Sequence, residues 1–595
     1  MPDRAGPGAV APRELILAAA AAGLPRGTPW VAFGDADDDG ALPLGEALRP
    51  HRERLRAAFV DWLGGLNAAN ASPAWWAHNT SAKNLLSSRF GNAVLELLAL
   101  RLLLERDVGP RLGVVGASAA QAEALRRLAA ASGGTLRVRG AVARPSGGLP
   151  LPLSLVARAA RSLAAWALHL RSARSAVNAD VHLLTYADAA FRDGGDAFFG
   201  PLAAKLAERV PPLTCAHHAW IHGEARVVAP MLARASRFAY APMLAELHAA
   251  DFLRALRPAF AAAARLARWP SPPALEGLDL EPLLRASLRE DLASGNYYAA
   301  LLLRPAARRL ASRAKPALFL YPYENKALEK MLLLGLREGH PGARIVGYQH
   351  TAVTPRHATL LFAPGEAERT PLPDRIATLG GVTRDWLEAN GRYPPGLLVE
   401  ACALRQAPPF ALARRSRSAE SVRVLFVLSS SLAELARAAR WLLEAARLRP
   451  HWEFALRPHP EFPLAGLPAP LRSALAQRAR DLAGTPLREN LEWCDAVAYA
   501  SSTAGLEALG AGRPVVNLDF GELLDVDPVL EAVPLHSRAA DPVAMVEALE
   551  RGAALGDEDY ARGRDAARAF VDRYLRAPTP ALVGRLLEMP RAQVV

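Results

Sequence analysis

Three short polar segments in the C-terminal part of this 595-residue chain directly follow stretches that resemble buried β-strands. Arg457-Pro458-His459-Pro460 offers a guanidinium and an imidazole suited to phosphate, on a loop that two prolines restrain. Ser501-Ser502-Thr503 places three hydroxyls where a helix should begin, and free N–H groups of a first helical turn favour an anion. Ser429-Ser430-Ser431 holds the equivalent position after an earlier strand. Together they predict a phosphate or nucleotide pocket, although each alone could be an ordinary polar turn or helix cap.

A second group of polar residues follows two earlier strands. Tyr321-Pro322-Tyr323-Glu324-Asn325-Lys326 comes after the stretch ALFLY, and Gly347-Tyr348-Gln349-His350 comes after RIV. A carboxylate and an imidazole at neighbouring strand ends are candidates for a general base and its partner. We therefore predict catalytic roles for Glu324 and His350, although Glu324 could instead cap the next helix. We predict acceptor contacts for the other polar residues, Tyr323, Asn325, Lys326 and Gln349.

Strands alternate with helices around these segments. The predicted strands of the C-terminal part are 422–428, 452–456, 496–500 and 514–518, and its predicted helices are 432–448, 471–482 and 504–511. The predicted strands before it are 112–115, 181–185, 317–321, 345–348 and 376–379, and the predicted helices there are 243–264, 283–311 and 326–337. This alternation predicts parallel, doubly wound α/β sheets, whose ligands bind beyond the carboxyl ends of the strands.

The length of the chain exceeds what one hydrophobic core supports, so several domains are expected. Residues 405–418 are polar, basic and proline-containing, which is typical of a linker. We predict an N-terminal extension over 1–105, a Rossmann-like acceptor domain over 106–404 and a Rossmann-like donor domain over 419–595.

The net charge of +12 does not by itself indicate a nucleic-acid partner, because 66 of the 71 basic residues are Arg and no block of like charges occurs. That bias is typical of GC-rich coding. The three cysteines are scattered, so neither a disulfide framework nor a structural zinc site is expected. No convincing signal peptide and no apolar run of bilayer length is seen, which predicts a cytoplasmic protein. The basic, apolar segment 151–174 is consistent either with a core helix or with peripheral attachment to the inner face of the cytoplasmic membrane.

Two further segments have alternative interpretations. Asp35 to Glu46 matches the spacing of an EF-hand calcium loop, but a strand-like WVAF and prolines precede it where a helix is needed. We interpret it as an acidic turn after an edge strand, and we predict no metal site. The polar run Asn79 to Asn84 precedes an apolar helix and could be a cap or a functional loop.

The order of these motifs resembles that of known carbohydrate enzymes. RPHP is similar to the HP motif, and SST to the Ser/Thr motif, of bacterial GT-B sialyltransferases and related Kdo transferases. CDP-glycerol glycerophosphotransferases carry a similar RPHP and a similar double-Ser turn. YPYENKALEK, GYQHT, RPHP and SST, in this order, look like a group of bacterial O-antigen-type surface-carbohydrate biosynthesis proteins. The resemblance covers roughly residues 75–540.

The resemblance implies a GT-B arrangement, two Rossmann-like domains facing a cleft, and a metal-independent glycosyltransferase. In those families the two motifs contact the cytidine monophosphate of a CMP-sugar, which implies nucleotide or phosphate contacts at Arg457, His459, Ser501, Ser502, Thr503 and Glu507. The position of Ser429 and Ser430 after a strand predicts that they belong to the same donor site. The implied substrates are a CMP-activated nonulosonic acid or Kdo-like sugar and a glycan or lipid-linked glycan acceptor, with no cofactor besides the donor. The alternatives are a CDP-glycerol-type phosphotransferase, a UDP-sugar transferase and a non-catalytic assembly protein.

Overall fold

A computed structural model of the chain describes residues 14–34, 40–86, 88–106, 110–131, 134–139, 150–170, 179–186, 196, 198–209, 211–266, 268–405, 410–415, 421–428, 431–459 and 462–587. Contacts divide the chain into two units. The first unit comprises residues within 1–348, 357–376 and 391–397, and the second unit comprises residues within 349–356, 377–390 and 398–595.

The N-terminal part of the first unit contains a four-stranded sheet. Its strands are β1 (Glu14–Ala18), β2 (Trp30–Ala32), β3 (Arg111–Val115) and β4 (Thr135–Arg139), in the order β2-β3-β1-β4 and with parallel pairing. The accompanying helices are α1 (Leu44–Leu48), α2 (Arg52–Asn70), α3 (Pro73–Trp76), α4 (Arg89–Leu104) and α5 (Ala119–Ala131). The boundary predicted between residues 105 and 106 passes through this sheet, because β1 and β2 form their hydrogen bonds with β3 and β4. WVAF contributes the edge strand β2, as expected, whereas Asp35 to Asp39 lie outside the described residues.

A seven-stranded sheet follows along the chain. Its strands are β5 (Val181–Tyr186), β6 (Cys215–Trp220), β7 (Ala241–Pro242), β8 (Leu318–Pro322), β9 (Arg344–Tyr348), β10 (Arg375–Thr378) and β11 (Leu398–Glu400), in the order β11-β10-β9-β8-β5-β6-β7. The helices around it are α6 (Leu151–His169), α7 (Leu202–Ala207), α8 (Ala225–Arg237), α9 (Ala249–Leu266), α10 (Glu281–Ser294), α11 (Asn296–Ala314), α12 (Ala327–Gly339) and α13 (Gly381–Asn390). The helix predicted over 283–311 is two helices, because Gly295 takes a left-handed φ of 88° between α10 and α11.

The second unit contains a six-stranded parallel sheet. Its strands are β12 (Arg423–Val427), β13 (Glu453–Arg457), β14 (Ala479–Asp481), β15 (Ala496–Tyr499), β16 (Val515–Leu518) and β17 (His536–Ala539), in the order β14-β13-β12-β15-β16-β17. Its helices are α14 (Leu432–Leu448), α15 (Ala469–Ala476), α16 (Leu487–Trp493), α17 (Ala504–Gly510), α18 (Pro542–Ala554), α19 (Asp557–Tyr574) and α20 (Pro580–Leu587). The inner strands are nearly pure apolar runs because helices cover both faces of such a sheet.

The structure confirms the predicted α/β class with parallel, doubly wound sheets, and it places a strand at each predicted strand. The helix predicted over 471–482 ends at Ala476, and β14 (ARD), an edge strand of the six-stranded sheet, occupies the end of that range instead. The sequence also did not predict β17 (HSRA), the other edge strand of this sheet, or the strands β1, β4, β6, β7 and β11 of the other two sheets. Edge strands face solvent on one side and do not need an apolar run.

Part of the predicted linker 405–418 is described, and that part contacts the second unit. Leu412 N–H donates to Ala511 O at 3.1 Å, and the Arg414 guanidinium donates to Ala553 O at 2.8 Å and Leu555 O at 2.7 Å. Residues 406–409 and 416–418 lie outside the described residues. In the part that the structure describes, the predicted linker is therefore attached to the second unit by hydrogen bonds.

Candidate functional site

The six-stranded sheet changes winding direction between β12 and β15. The chain starts at β12, extends to β13 and β14 on one side, and then crosses back to add β15, β16 and β17 on the other. Ligands of open α/β sheets bind outside the carboxyl ends of strands at such a switch point. The predicted hydroxyl segments leave β12 and β15 at this edge of the sheet.

Glu434 links the two segments that flank the switch point. Its carboxylate is 6% exposed and accepts a hydrogen bond from Ser501 Oγ at 2.8 Å. Its own N–H donates to Ser431 Oγ at 3.1 Å, which caps α14. The side chain of Glu434 therefore reaches across to the segment after β15 and fixes the Ser501 hydroxyl. Sequence reasoning did not single out Glu434, although Ser-x-x-Glu at 431–434 is the signature of a capping box.

Arg457 ends β13, where it is in register with Val427, which is itself in register with Tyr499 of β15. Its guanidinium donates to Asn490 Oδ1 at 2.8 Å and also to Thr485 O. Burial lowers the pKa of Arg457, and the nearby Glu507 carboxylate acts in the opposite direction. Two protein acceptors therefore hold the guanidinium at the edge of the sheet.

Glu507 lies in the first turn of α17. Burial raises the pKa of its carboxyl, and the positive charge of Arg457 works against that rise. This coupling places the first turn of α17 close to the carboxyl end of β13. Arg457 and Glu507, which are 50 residues apart in the sequence, are thus brought together by the sheet order.

His459 follows Arg457 on the loop after β13. The His459 ring is tilted against Phe462, with 6.1 Å between the ring centroids, and Phe462 N–H donates to His459 O at 2.9 Å. A short turn therefore holds the imidazole at the same end of the sheet as Arg457.

The segment Ser501-Ser502-Thr503 enters α17, a helix of seven residues. Ser502 is buried, and its Oγ accepts the Ala504 N–H at 3.3 Å. Thr503 occupies the cap position, and its carbonyl accepts the Leu506 N–H at 3.0 Å. A Cβ at Gly505 would lie 2.6 Å from the Tyr499 ring, so only glycine allows α17 to pack this closely on β15. Ser429 and Ser430 lie outside the described residues.

The seven-stranded sheet has its own switch point, between β5 and β8. The segment that carries Glu324 leaves β8 there. Pro322 of β8 is in register with Tyr348 of the parallel strand β9, so the turns that carry Glu324 and His350 both follow the carboxyl ends of adjacent strands. The predicted strand context of these two turns is therefore confirmed.

The Glu324 side chain is 28% exposed and forms an ion pair with Lys326. That pair raises the pKa of Lys326 against the opposing effect of burial. The lysine charge can stabilise the ionised form of Glu324, the form that a general base requires.

The turn between β8 and α12 is held by Glu329, which sequence reasoning did not select. Its Oε2 accepts the N–H groups of Glu324 and Asn325, each at 2.8 Å. The side chain is 1% exposed, and burial together with the Glu324 charge raises the pKa of Glu329 to about 8. A strongly perturbed, buried carboxyl beside a candidate base is typical of functional sites, but buried structural networks show it too.

The other predicted acceptor residues are buried. Asn325 takes a left-handed φ of 57°, and its amide donates to Thr359 O at 2.8 Å. The Tyr323 side chain is 1% exposed. Gln349 N–H donates to Ala377 O at 2.9 Å. The neighbouring candidate catalytic residue, His350, is 2% exposed. Of the four predicted acceptor contacts, only Lys326 therefore has an exposed side chain.

A buried polar network involves the run Asn79 to Asn84. Lys83 and Glu366 form an ion pair with both side chains 0% exposed, and Asn67 Nδ2 donates to Glu366 Oε1 at 2.6 Å. Lys330 Nζ donates to Ser81 O at 3.1 Å and lies 4.8 Å from the centre of the Trp76 ring. Burial and the nearby Lys83 charge lower the pKa of Lys330 to about 7. Two of the five lysines of the chain are therefore fully buried in one cluster.

The described residues contain neither a cluster of metal ligands nor a helix that could span a membrane. In that part of the chain, no group of three or more His, Cys, Asp or Glu side chains could hold a metal ion. No helix described there combines the length and the apolar character that crossing a bilayer requires.

No protein-family model and no curated protein matches the sequence. Among solved structures, the chain is similar to Anabaena HepE in complex with UDP and glucose, at 10% identity and a TM-score of 0.37 over 69% of this chain and 98% of that one. It is similar to the lipopolysaccharide outer core galactosyltransferase WaaB at 9% identity and a TM-score of 0.38, over 68% of this chain and 99% of WaaB. A UDP-GlcNAc 2-epimerase from Neisseria meningitidis gives 9% identity and a TM-score of 0.39, over 68% and 99% of the two chains. These low values do not identify the activity of this chain.

Proposed function

We propose that this protein is a GT-B-type glycosyltransferase that takes its sugar from a nucleotide-activated donor, with a CMP-sugar as the first candidate. The observation that carries the proposal is the switch point of the six-stranded sheet, where Ser501 and Glu434 are joined and Arg457 and Glu507 are electrostatically coupled. Hydroxyl, guanidinium and carboxylate groups at such an edge can bind the phosphate and ribose of a nucleotide. The order of the RPHP and SST motifs favours cytidine.

In the proposed reaction, an acceptor hydroxyl attacks the anomeric carbon of the donor sugar. A new C–O bond forms, the bond between the anomeric carbon and the phosphate oxygen breaks, and CMP leaves. Glu324, with His350 as the alternative, takes the proton of the hydroxyl, while Arg457 and His459 stabilise the charge on the departing phosphate. The acceptor is a surface glycan or lipid-linked glycan. A cleft between two Rossmann-like domains, metal independence and a cytoplasmic location remain predictions.

Nucleotide binding should stabilise the second unit selectively. At about 100 times its Kd, CMP is expected to add about 2.7 kcal/mol to the free energy of unfolding, and His459→Ala should remove most of that gain. Thermal unfolding with CMP, CDP, UDP and GDP measures this. His459 is a sharper test than Arg457, because Arg457 also holds Asn490 and Thr485 in the folded unit.

His451→Ala is the matched control, because this exposed histidine precedes the same strand at its opposite end. Stabilisation by UDP or GDP, with no response to cytidine nucleotides, would show that the CMP-sugar assignment is wrong. No response to any nucleotide would contradict the transferase proposal itself. A CDP-glycerol donor would also release CMP, but phosphorus would then appear in the acceptor product.

We further propose that α6, α8 and α9 face an anionic membrane surface. Helix α6 packs against both α8 and α9. Large apolar side chains are exposed on these helices and at the C-cap of α6: Leu153, Val156, Leu170, Val227, Leu253 and Phe260. Exposed arginines lie on the same helices: Arg161, Arg226, Arg234, Arg237, Arg254 and Arg257. Apolar side chains flanked by arginines are typical of helices that lie in a membrane interface.

The double variant Leu153→Ser/Leu253→Ser is expected to reduce binding to phosphatidylglycerol vesicles about tenfold. Full burial of a leucine side chain contributes about 1.5–3 kcal/mol, and a membrane interface buries each side chain only in part. Co-sedimentation measures the bound fraction. Val543→Ser, which changes an exposed residue of α18, should leave binding unchanged. Equal binding to neutral phosphatidylcholine, or equal binding by the double variant, would count against this surface.

A further inference from the structure

A cavity of about 530 Å³ lies at the C-terminal end of α9, and nothing in the proposed transfer reaction uses it. Residues of α3, α9, α10 and the loop after α9 form its wall. The volume is within the range of small-molecule sites, about 300–1,000 Å³.

Much of the cavity wall is apolar. Leu266, Leu288 and Leu292 contribute aliphatic surface, and the rings of Trp75 and Trp269 stack with their centroids 5.4 Å apart. The Trp75 Nε1–H donates to Asn67 Oδ1 at 2.8 Å, so the polar atom of this indole is already satisfied inside the fold. Trp75 is 3% exposed, so the partly exposed ring of Trp269 provides the indole surface that is open to the cavity.

The charged part of the wall is basic. Arg265 and Arg268 line the cavity with exposed side chains, and none of the residues that line it is acidic. His78 also lines it, and the His78 Nδ1 atom lies 3.4 Å from a carboxylate oxygen of Asp291 behind the wall. Two guanidinium groups beside an apolar chamber are complementary to a ligand with an anionic head and an apolar body.

The exposed stripe of α9 leads to this cavity. Leu253 is 70% exposed and Phe260 is 37% exposed, and Ala264 at the cavity follows on the same helical face. Residues spaced by seven and then four positions lie along one side of a helix. An apolar chain that contacts Leu253 and Phe260 would therefore be directed towards the cavity.

We propose that this cavity binds an amphiphile that has a single apolar chain and a phosphate head. The chain occupies the surface formed by Leu266, the Trp269 ring and the exposed alanines Ala261 and Ala264, and the phosphate pairs with Arg265 and Arg268. The site does not depend on the proposed glycosyl transfer, and its ligand could come from a membrane or from solution.

Binding of dodecyl phosphate below its micellar concentration, measured by isothermal titration calorimetry on the full chain, tests the site. Arg265→Ala and Arg268→Ala are each expected to weaken binding about tenfold, since a charged hydrogen bond is lost. Ala264→Trp should block the cavity from an exposed position and abolish binding. Arg308→Ala, at an exposed arginine of α11 that belongs neither to the cavity wall nor to the proposed membrane surface, should leave the affinity unchanged. Inorganic phosphate and dodecyl maltoside should each bind at least tenfold more weakly than dodecyl phosphate.

Unchanged affinity in Ala264→Trp, or equal losses in Arg308→Ala and Arg265→Ala, would overturn the proposal. Circular dichroism establishes that each variant is folded before its affinity is compared. Vesicles that contain phosphatidic acid identify the source of the ligand: if Ala264→Trp weakens vesicle binding, the cavity takes its ligand from the bilayer. If Ala264→Trp loses binding of dodecyl phosphate but still binds the vesicles as the parent does, the cavity takes its ligand from solution. Nucleotide binding by the second unit is measured separately, so its failure would leave this result intact.

Discussion

Lys83→Met is expected to lower the free energy of unfolding of the first unit by about 3–5 kcal/mol, because it leaves a buried carboxylate without its counter-ion. Lys83 and Glu366 are both 0% exposed and form an ion pair. Methionine fills a similar volume, so the loss would report the charge and not a cavity.

The surroundings of Glu366 explain why this charge cannot simply be neutralised at low cost. Asn67 Nδ2 and the Ala363 N–H donate to its two carboxylate oxygens at 2.6 and 2.9 Å, which favours the ionised form. Burial raises the pKa of Glu366, but Lys83 and these donors together hold it below its ordinary value. Without Lys83, the carboxylate must either stay charged in an apolar interior or take up a proton against two donors.

Hydrogen exchange of peptides from α2 and α4, measured in increasing urea, separates the first unit from the rest of the chain. The double variant Lys83→Met/Glu366→Gln should recover part of the loss, since the carboxylate left without Lys83 is removed as well. Lys315→Met, at an exposed lysine, should stay within about 0.5 kcal/mol of the parent. A loss in Lys83→Met as small as that of Lys315→Met would show that the buried pair contributes little.

The fold could be predicted from the sequence where burial alone decides the residue type. The strands 423–427 and 515–518 are apolar apart from Arg423 and Asn517, because helices cover both faces of the sheet. The edge strands β14 and β17 could not be predicted, because hydrogen bonding to one neighbour defines them and their side chains are polar or small. The domain boundary predicted near residue 105 failed for the same reason. The pairing of β1 with β3 joins residues about 100 positions apart, and no local sequence pattern shows it.

For the candidate site, strand-end positions could be predicted but side-chain partners could not. Ser501 follows a recognisable strand, yet its partner Glu434 is 67 residues away in sequence. Lys83 and Glu366 are separated by 283 residues, and no local pattern marks two such residues as a pair. Glu329 is within five residues of Glu324, but its raised pKa comes from burial, which the sequence does not display.

Acidification is expected to destabilise the first unit strongly, because several of its histidines are buried in their neutral form. Burial lowers the pKa values of His169, His182 and His222 to about 4. An unfolded histidine has a pKa near 6.5, so between about pH 6.5 and pH 4 the unfolded chain binds more protons than the folded chain. The free energy of unfolding therefore falls as the pH is lowered through this window, and each such histidine alone accounts for about 3 kcal/mol.

His169 isolates this effect, because neither of its ring nitrogens has a hydrogen-bond partner in the part of the chain that the structure describes. His169→Leu should therefore retain the stability of the parent near neutral pH, where it replaces an unpaired polar ring by an apolar side chain. Below pH 6.5 the slope of unfolding free energy against pH should fall by up to about 1.4 kcal/mol per pH unit, which corresponds to one proton.

Urea unfolding between about pH 7.5 and pH 4.5, followed by hydrogen exchange of peptides from β5 and β6, measures this slope. His248→Gln, at an exposed histidine of the same unit, should leave the slope unchanged. His182 and His218 share a hydrogen bond of 2.9 Å between Nδ1 and Nε2, so their titrations are coupled, and a variant of either histidine would not isolate the effect of one group. The prediction fails if His169→Leu shows the same slope of unfolding free energy against pH as the parent. In that case another group takes up the proton, and His169 does not account for the acid sensitivity.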